Sequence, residues 1–356
     1  MAVTDQTTTT SQLIREKADV LAEAVVQRMY AAQPEIWERY GEVGRAHSLQ
    51  DAKYHLAYLA EALAAGDPGL FMDYAAWVKV LFTGLKLPDR AMVDTLQTTI
   101  GVLRDHLPPE HADAASEYID RVLRGWQEAP TTVASFIDES ATLGGLARRY
   151  LDALLAGDRR TASQLILDAV DAGVSVRDIY LHVFQPAQYE IGRLWQTNQV
   201  SVAQEHFCSA ATQMIMSQLY PHIFATEKIG RRLVATCVGG ELHEIGVRMV
   251  ADFFEMEGWD SYYLGANTPV ESVLRMLKER QAHAVAISAT MTFHLPRVTA
   301  LVQAVRESEV GGQVKILVGG YPFRVAPGLW REVGADGSAL DALSAVRLAN
   351  DLVAAG

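Results

Sequence analysis

The spacing of hydrophobic residues divides the chain into two kinds of pattern. From about residue 10 to 126, apolar residues recur at helical spacing, with breaks at Gly66-Asp67-Pro68, Leu87-Pro88-Asp89 and Leu107-Pro108-Pro109. From about residue 232 onward, short apolar runs rich in β-branched residues alternate with helical segments. The first pattern predicts an all-helical domain, and the second predicts a parallel sheet flanked by helices.

A second helical series, from about residue 134, lies between these two regions. It breaks near 156–158 and 171–174, and one later helix carries an apolar stripe formed by Tyr180, Phe184, Ala187, Ile191 and Leu194. Pro186 should kink that helix, and Ser201 with Gln204 has the form of a capping box that starts the next one, which should run to about Tyr220. We therefore predict a four-helix-bundle cap.

These patterns predict three domains. They are an all-helical, sensor-like domain at 1–130, the bundle cap at 134–225 and the sheet domain at 230–356, with a linker at 127–133. In the last domain, the strands are expected at 233–238, 262–264, 284–287 and 315–318, with a final strand near 335–340.

Charge and cysteine content narrow the function classes. The 356 residues carry a formal charge of -12, which disfavours nucleic acid and anionic membranes as partners. No uninterrupted apolar run reaches the roughly 18 residues of a membrane span, so we expect a cytoplasmic protein without a membrane partner. Cys208 and Cys237 form no CxxC motif and are expected to be buried small residues.

The loop after the first predicted strand carries the clearest chemistry. Strand 233–238 runs into Gly239-Gly240-Glu241-Leu242-His243-Glu244-Ile245-Gly246, and in open α/β sheets such a loop faces a ligand. His243 could ligate a metal through one ring nitrogen while Glu241 orients the ring through the other. Too few Cys, His and Asp residues cluster here for a zinc cage, so the metal would arrive already held by an organic ring.

Three loops together resemble the cobalamin-binding Rossmann-like domain over about 232–356. They carry the motif Glu241-x-His243-x-x-Gly246, then Ser288-Ala289-Thr290, then Gly319-Gly320. The resemblance implies that His243 binds cobalt from below and that the nucleotide tail threads between strand ends. The implied contacts are Gly240, Glu241, Leu242, His243, Glu244, Ile245, Gly246, Ser288, Thr290, Gly319 and Gly320. Most family members have Asp at the position of Glu241, whereas light-sensing members often carry Glu; the alternative is a loop histidine without a cofactor.

The bundle adds a second resemblance. Trp195 is followed nine residues later by Glu205-His206, which is similar to the W-x9-EH pattern of adenosylcobalamin photoreceptors of the CarH type. This resemblance implies that Trp195 presses on the adenosyl group, Glu205 bonds its ribose hydroxyls and His206 lies beside it. The alternative is a core tryptophan with a solvated Glu-His pair.

One position departs from the light-sensing repressors. There, a His follows the Trp and ligates cobalt after photolysis, whereas this chain has Gln196. Water, His206 or another imidazole such as His182 would then fill that coordination position.

The N-terminal domain contains an aromatic-rich pair of helices at 53–65 and 70–83. Tyr54, His55, Tyr58, Tyr74 and Trp77 stand at helical spacing, which more often marks a core than a cofactor site. Yet the order of domains resembles the photocobilins, which pair adenosylcobalamin with the linear tetrapyrrole biliverdin. The resemblance implies a bilin on these side chains. It would be noncovalent, since no cysteine precedes Cys208. Its propionates could meet Lys53, Lys79, Lys86 or Arg90.

We therefore expect a light sensor rather than an enzyme. Photolysis of adenosylcobalamin would change the state of a homo-oligomer or act on a separate effector protein. The alternative is a corrinoid carrier protein for methyl transfer, whose cap would not need Trp195 and Glu205. A radical mutase subunit is disfavoured because the chain lacks a substrate barrel of about 250 residues.

Overall fold

The computed structural model describes residues 2–354 and contains two compact units. The N-terminal unit comprises the chain up to Thr131 together with Met291–Leu295, and the C-terminal unit comprises Thr132–Thr290 and the chain from Pro296 onward. Among the described residues, no helix is both long enough and apolar enough to span a bilayer.

The N-terminal unit is built from helices, as the sequence predicts. They are α1 (Ala2–Glu16), α2 (Ala18–Ala32), α3 (Pro34–Ala64), α4 (Pro68–Gly84), α5 (Arg90–His106) and α6 (Pro109–Gly125). Helix α3 is interrupted at Gly41, where φ is +57°. The side chain of Asp67 accepts from the amide of Gly69 and so caps α4, whose first residue is Pro68.

Helix α1 begins earlier than the helical pattern predicts. The polar stretch before residue 10 is helical, and Thr7, Thr10 and Ser11 are buried. The Thr10 hydroxyl lies 2.7 Å from the carbonyl of Gln6 and 2.8 Å from Nδ1 of His111 on α6. Buried polar partners, rather than apolar periodicity, therefore hold this first helix.

The first residues of the C-terminal unit differ from the prediction of a helix from about 134. No helix forms between the end of α6 at Gly125 and the start of α7 (Gly144–Leu155), and Leu143 takes the left-handed conformation at φ +58°. Ile137 is nevertheless buried in the core of the C-terminal unit. The amide of Phe136 donates to Glu190 at 2.9 Å. An extended segment thus satisfies its backbone through side chains.

The bundle contains α7, α8 (Arg159–Asp171), α9 (Val176–Ile179) continuing into α10 (Gln185–Gln196), and α11 (Val202–Gln218), followed by the short α12 (Tyr220–Ile223). The expected kink at Pro186 takes the form of a π-helical segment, Tyr180–Phe184, directly before α10. Pro186 has no backbone N–H to donate to the carbonyl four residues earlier, so the regular α-helical hydrogen bonding is interrupted there, and a π turn is one form that such an interruption takes. The predicted capping box of Ser201 and Gln204 is present.

The sheet is parallel, with strand order β2-β1-β3-β4-β5. Its elements are β1 (Arg232–Cys237), α13 (Ile245–Met256), β2 (Asp260–Gly265), α14 (Val270–Arg280), β3 (Ala284–Ser288), α15 (Leu295–Glu307), β4 (Lys315–Gly319), α16 (Tyr321–Val325), α17 (Leu329–Glu332), β5 (Gly337–Ser338) and α18 (Ala342–Ala354). A 3-10 turn at Thr292–His294 precedes α15. The carboxyl ends of β1, β3 and β4 meet in register, since Cys237 pairs with Ser288 and Ser288 with Gly319. The predicted multidomain α and α/β architecture is confirmed.

A buried polar joint connects the bundle with helix α13 of the sheet. The Tyr180 hydroxyl donates to Asp252 at 2.8 Å, and the Tyr220 hydroxyl donates to the same carboxylate at 3.2 Å. One turn earlier, Arg248 donates to the Gln213 carbonyl at 3.1 Å and to the Ser217 hydroxyl at 2.7 Å. These directional contacts fix the orientation of the bundle on α13 more narrowly than apolar packing alone would.

The carboxyl group of Asp252 makes this joint sensitive to pH. Burial raises its pKa from 3.8 to about 6, and the hydrogen bond from Tyr180 opposes that shift. Its contribution to stability is therefore fully present below about 3.8 and is lost as the pH rises through about 6. Asn cannot ionise, so the free energy of unfolding of Asp252→Asn should increase relative to that of wild type as the pH rises from about 4 to about 6. Urea unfolding at several pH values measures this difference.

The matched variant Asp252→Leu should be less stable than Asp252→Asn at every pH. It leaves the buried Tyr180 hydroxyl without an acceptor, which costs about 1–3 kcal/mol. Equal free energies of unfolding for the two variants would show that the hydrogen bond from Tyr180 to residue 252 does not contribute to stability.

Candidate functional site

The buried carboxylate of Glu241 organises the loop after β1. Its side chain is 0% exposed. Oε1 accepts from the amide of His243 at 3.0 Å and lies 2.6 Å from Nδ1 of the same residue, while Oε2 accepts from the amide of Thr290 at 2.7 Å. One carboxylate therefore holds the β1 loop and the β3 loop together.

The ring of His243 is held through Nδ1, and the rest of the ring is exposed. Its side chain remains 59% exposed although Nδ1 is engaged by Glu241. The hydrogen bond that the ring donates to Glu241 raises the pKa of His243, burial opposes the shift, and the charges of Glu241 and Glu205 add to it. Because Nδ1 faces the carboxylate, Nε2 is the nitrogen that a metal would take.

The loops after β3 and β4 approach each other closely. The amide of Ala289 donates to the carbonyl of Gly319 at 3.1 Å. Gly320 has φ +107°, and a Cβ there would stand 2.0 Å from the carbonyl oxygen of Ala289. A side chain at residue 320 is thus excluded both by conformation and by space. Ser288, Thr290, Gly319 and Gly320 are consequently brought to the same sheet edge as His243.

The surroundings of His243 have room for a flat ligand. Leu242 is 73% exposed beside the half-exposed imidazole, and a Cβ at Gly239 or at Gly246 would meet no atom within 4 Å. An exposed apolar side chain, an imidazole and open glycine backbone suit a corrin ring whose cobalt is bound from below. The described residues therefore fit cobalamin.

The sequence did not indicate several side chains that hold this loop. The side-chain oxygen of Asn267, after β2, accepts from the backbone amide of Gly240 at 2.7 Å. The backbone amide of Asn267 donates to the carbonyl of Glu241 at 3.1 Å. Arg297 donates to the carbonyl of Gly239. A lone Asn in a loop carries no motif, so only the fold reveals its role.

Glu244 and Ile245, two of the predicted cofactor contacts, interact with other residues of the protein. Glu244 accepts from Gln213 of α11 at 3.1 Å, from the Tyr263 hydroxyl at 2.9 Å and from the amide of Ala266 at 2.8 Å. Ile245 packs, partly buried, against the core of the C-terminal unit. Glu244 thereby links α11 to the sheet, a structural role that the loop motif alone does not indicate.

The cap residues lie at the end of α10 and the start of α11. The Ser209 hydroxyl donates to Glu205 at 2.8 Å, and Nδ1 of the 75% exposed His206 lies 2.5 Å from the other oxygen of Glu205. Trp195 is half-buried, whereas Gln196 behind it is buried. The negative charge of the Glu205 carboxylate is the smallest contribution to the raised pKa of His243.

Four of the five aromatic residues predicted for the bilin form one cluster in the N-terminal unit. The rings of Tyr58 and Tyr74 stack at 3.7 Å, and Nδ1 of His55 lies 2.8 Å from the Tyr74 hydroxyl. Phe293, from the Met291–Leu295 segment of the same unit, stacks on Tyr54 at 5.6 Å and meets Tyr58 edge-on at 5.6 Å. His55, Tyr58 and Tyr74 are buried.

Two of the five bilin residues remain open to solvent. Tyr54 is 40% exposed and Trp77 is 36% exposed. Of the cations, Lys53 pairs with Asp19 at 2.6 Å and Arg90 with Asp94 at 3.0 Å. Lys79 is buried and donates to the backbone carbonyls of Trp126 and Ala129. The buried part of the cluster thus serves as core.

Metal-binding chemistry elsewhere is limited. In the part of the chain that the structure describes, no group of three or more His, Cys, Asp or Glu side chains could hold a metal ion. Cys208 and Cys237 are free and buried, as predicted. Burial raises the pKa of the Cys208 thiol to about 11, which makes it a poor nucleophile.

Comparison with known proteins agrees with this geometry. Family models described as B12 binding domain match residues 231–347 and 146–220, and a model described as phycobilisome protein matches residues 2–125. The fold and the two matched B12-binding domain models are those of a cobalamin-binding protein.

Similar proteins include two from Methanosarcina mazei. Trimethylamine corrinoid protein 1 is 28% identical over 207 residues, which are 56% of this chain and 94% of that protein. Dimethylamine corrinoid protein 3 is 30% identical over 140 residues, which are 39% of this chain and 81% of that protein. Among solved structures, the Methanosarcina barkeri monomethylamine corrinoid protein, 22% identical, matches with a TM-score of 0.53 over 59% of this chain and 100% of that one, which supports the fold. The chain belongs to the family of corrinoid proteins that carry B12-binding domains.

The shared carboxylate gives a testable prediction in the cofactor-free protein. Glu241→Gln removes the hydrogen-bonded charge that raises the pKa of His243, so that pKa should fall. Ring-proton NMR titration measures it directly. The control Glu205→Gln should lower the pKa less, because Glu205 contributes least among the causes of the shift. Equal titration of wild type and Glu241→Gln would refute the pairing.

Proposed function

We propose that this corrinoid protein is a light sensor that holds adenosylcobalamin in its C-terminal unit and biliverdin in its N-terminal unit. The observation that carries the proposal is the phycobilisome-protein match over residues 2–125. The match to trimethylamine corrinoid protein 1 includes 94% of that protein but only 56% of this chain. A corrinoid carrier has no evident need for an added unit of this kind.

The lower side of the cobalamin would be held by His243. Support comes from the exposed ring, from the bond between Nδ1 and Glu241, and from the open backbone at Gly239 and Gly246. Glu241 would hold the ring by Nδ1 and leave Nε2 to bind cobalt, and the close approach at Gly320 would shape the slot for the nucleotide tail.

The upper side would be closed by Trp195 and Glu205. When bound, adenosylcobalamin supplies a cobalt–carbon bond that visible light breaks. Ser209 orients one oxygen of Glu205, which leaves this half-buried carboxylate suited to accept from ribose hydroxyls. Gln196, unlike a histidine, cannot replace the lost adenosyl group as a strong cobalt ligand. Water, His206 or His182 would do so.

Coupling between the two cofactors would run along the chain itself. The amide of Thr290 donates to Glu241, and the next residues, Met291–Leu295, belong to the N-terminal unit. There, Phe293 stacks on Tyr54, and the Tyr58 hydroxyl lies 3.9 Å from the sulfur of Met291. A change in the loop that carries Thr290 would therefore reach the aromatic cluster through one short segment. The output would be a change in oligomeric state or contact with a separate effector protein.

A corrinoid carrier for methyl transfer is the second candidate, and the curated relatives favour it over light sensing. Several are named as methylamine corrinoid proteins, with 26–30% identity to this chain. Such a carrier would use His243 in the same way and would exchange its methyl group with a separate methyltransferase. It would not need a preference for the adenosyl ligand.

Ligand preference separates the two functions. Wild-type protein should bind adenosylcobalamin more tightly than methylcobalamin, and Glu205→Ala should reduce this preference by about tenfold or more, because hydrogen bonds to a charged group are lost. Dark titrations followed by absorption measure both affinities.

His243→Ala is the control for the lower side, since it should change the spectrum and leave the upper-ligand preference in place. Equal affinities for the two cobalamins in wild type, with identical size-exclusion profiles before and after green light, would exclude the sensor and favour the carrier.

The biliverdin proposal has its own test. Co-expression with a haem oxygenase should yield protein with a far-red absorption band, and Trp77→Ala should weaken that band because this ring is both exposed and on the aromatic helix α4. Met72→Ala, which changes a 43% exposed residue of the same helix, is the matched control. Absence of a far-red band from wild-type protein refutes bilin binding and leaves the cobalamin proposal untouched.

A further inference from the structure

A cavity of about 290 Å³ lies within the N-terminal unit, between the end of α4 and the chain that follows α6. Its lining includes Lys79, Phe82, Leu87 and Trp126, with Thr83, Asp89 and Thr131 at the exposed rim. An engineered apolar cavity of roughly 150 Å³ holds benzene, so this one has the capacity for a molecule with two fused rings. It is too small for a linear tetrapyrrole and is therefore not the proposed bilin site.

The cavity wall contains a buried donor without an acceptor. Trp126 is 3% exposed, and its indole Nε1–H has no hydrogen-bond partner. Such a donor costs free energy that a bound acceptor would recover. The apolar faces of Phe82, Leu87 and the indole would surround the body of a ring system, while the indole N–H would select an oxygen on it.

The same wall contains a buried cation whose partners are all neutral. Lys79 is 5% exposed and donates to the carbonyls of Trp126, Gln127 and Ala129, the last at 2.8 Å. Its ammonium also lies 5.2 Å from the centre of the Trp126 ring. No carboxylate among the described residues forms an ion pair with it. Because a buried charge is screened far less than the exposed Asp89 at the rim, Lys79 would contribute a positive potential to the interior of the cavity.

We propose that this cavity binds a small aromatic monocarboxylate. The ring system would fill the space between Phe82, Leu87 and Trp126, and a carboxylate oxygen would accept from the Trp126 indole N–H in the field of Lys79. Since Lys79 and Trp126 also hold the chain at 126–129, the ligand would stabilise the segment that leaves α6 toward the second unit.

The test uses 1-naphthoate as the probe and the full-length protein. Isothermal titration should find one saturable site, and the uncharged 1-naphthamide should bind at least fivefold more weakly. Trp126→Phe, which keeps the aromatic bulk and removes the N–H, should weaken 1-naphthoate binding about tenfold. Asp89→Asn should strengthen it, because a negative charge at the rim is removed.

A second measurement does not depend on how the variants fold. In wild-type protein labelled with 15N-tryptophan, 1-naphthoate should shift one indole resonance, and that resonance should be the one missing from Trp126→Phe. Lack of saturable binding, equal binding of the acid and the amide, or an unshifted Trp126 resonance would each overturn the proposal, the last in favour of a buried water as the partner of the indole.

Discussion

The hydrogen bonds to the buried carboxylate of Glu241 are the interaction on which the cobalamin site depends. A carboxylate with no exposed surface costs several kcal/mol unless it is fully bonded, and here the backbone and ring of His243 and the amide of Thr290 provide the donors. Those donors come from the ends of two adjacent strands. The orientation of the His243 imidazole is therefore coupled to the spacing between the loops after β1 and β3, because both depend on the same carboxylate.

This arrangement also explains why Glu serves at a position where Asp would be shorter. The Glu241 carboxylate reaches its own loop with one oxygen and the β3 loop with the other. The extra methylene group gives the reach for the second contact while His243 stays exposed. The loop itself is restrained from the opposite side by Asn267 and Arg297, so its backbone is ordered before any cofactor binds.

Much of the C-terminal unit could be predicted from the sequence because local pattern and long-range packing agree there. Buried parallel strands read as apolar runs, and the loop at the end of β1 carries its chemistry within eight residues. The segment 132–143 and the placement of Met291–Leu295 could not be predicted, since both are held by contacts distant in sequence, such as Phe136 with Glu190 and Phe293 with Tyr54. The burial of Lys79, a candidate partner of the bilin propionates, could not be predicted either, because the carbonyls to which it donates lie some fifty residues away in sequence.

The corrinoid relatives and the N-terminal unit constrain function in different ways. Similarity to the methylamine corrinoid proteins is confined to little more than half of the chain. A carrier must expose the upper face of its cobalamin to a partner, whereas a sensor must change shape when that face loses its ligand. The carboxylate of Glu241 would matter for both functions, since it holds His243 on one side and accepts from the amide of Thr290, which precedes the Met291–Leu295 segment of the N-terminal unit, on the other. In the proposed sensor, a change at the cofactor would reach the N-terminal unit through that segment.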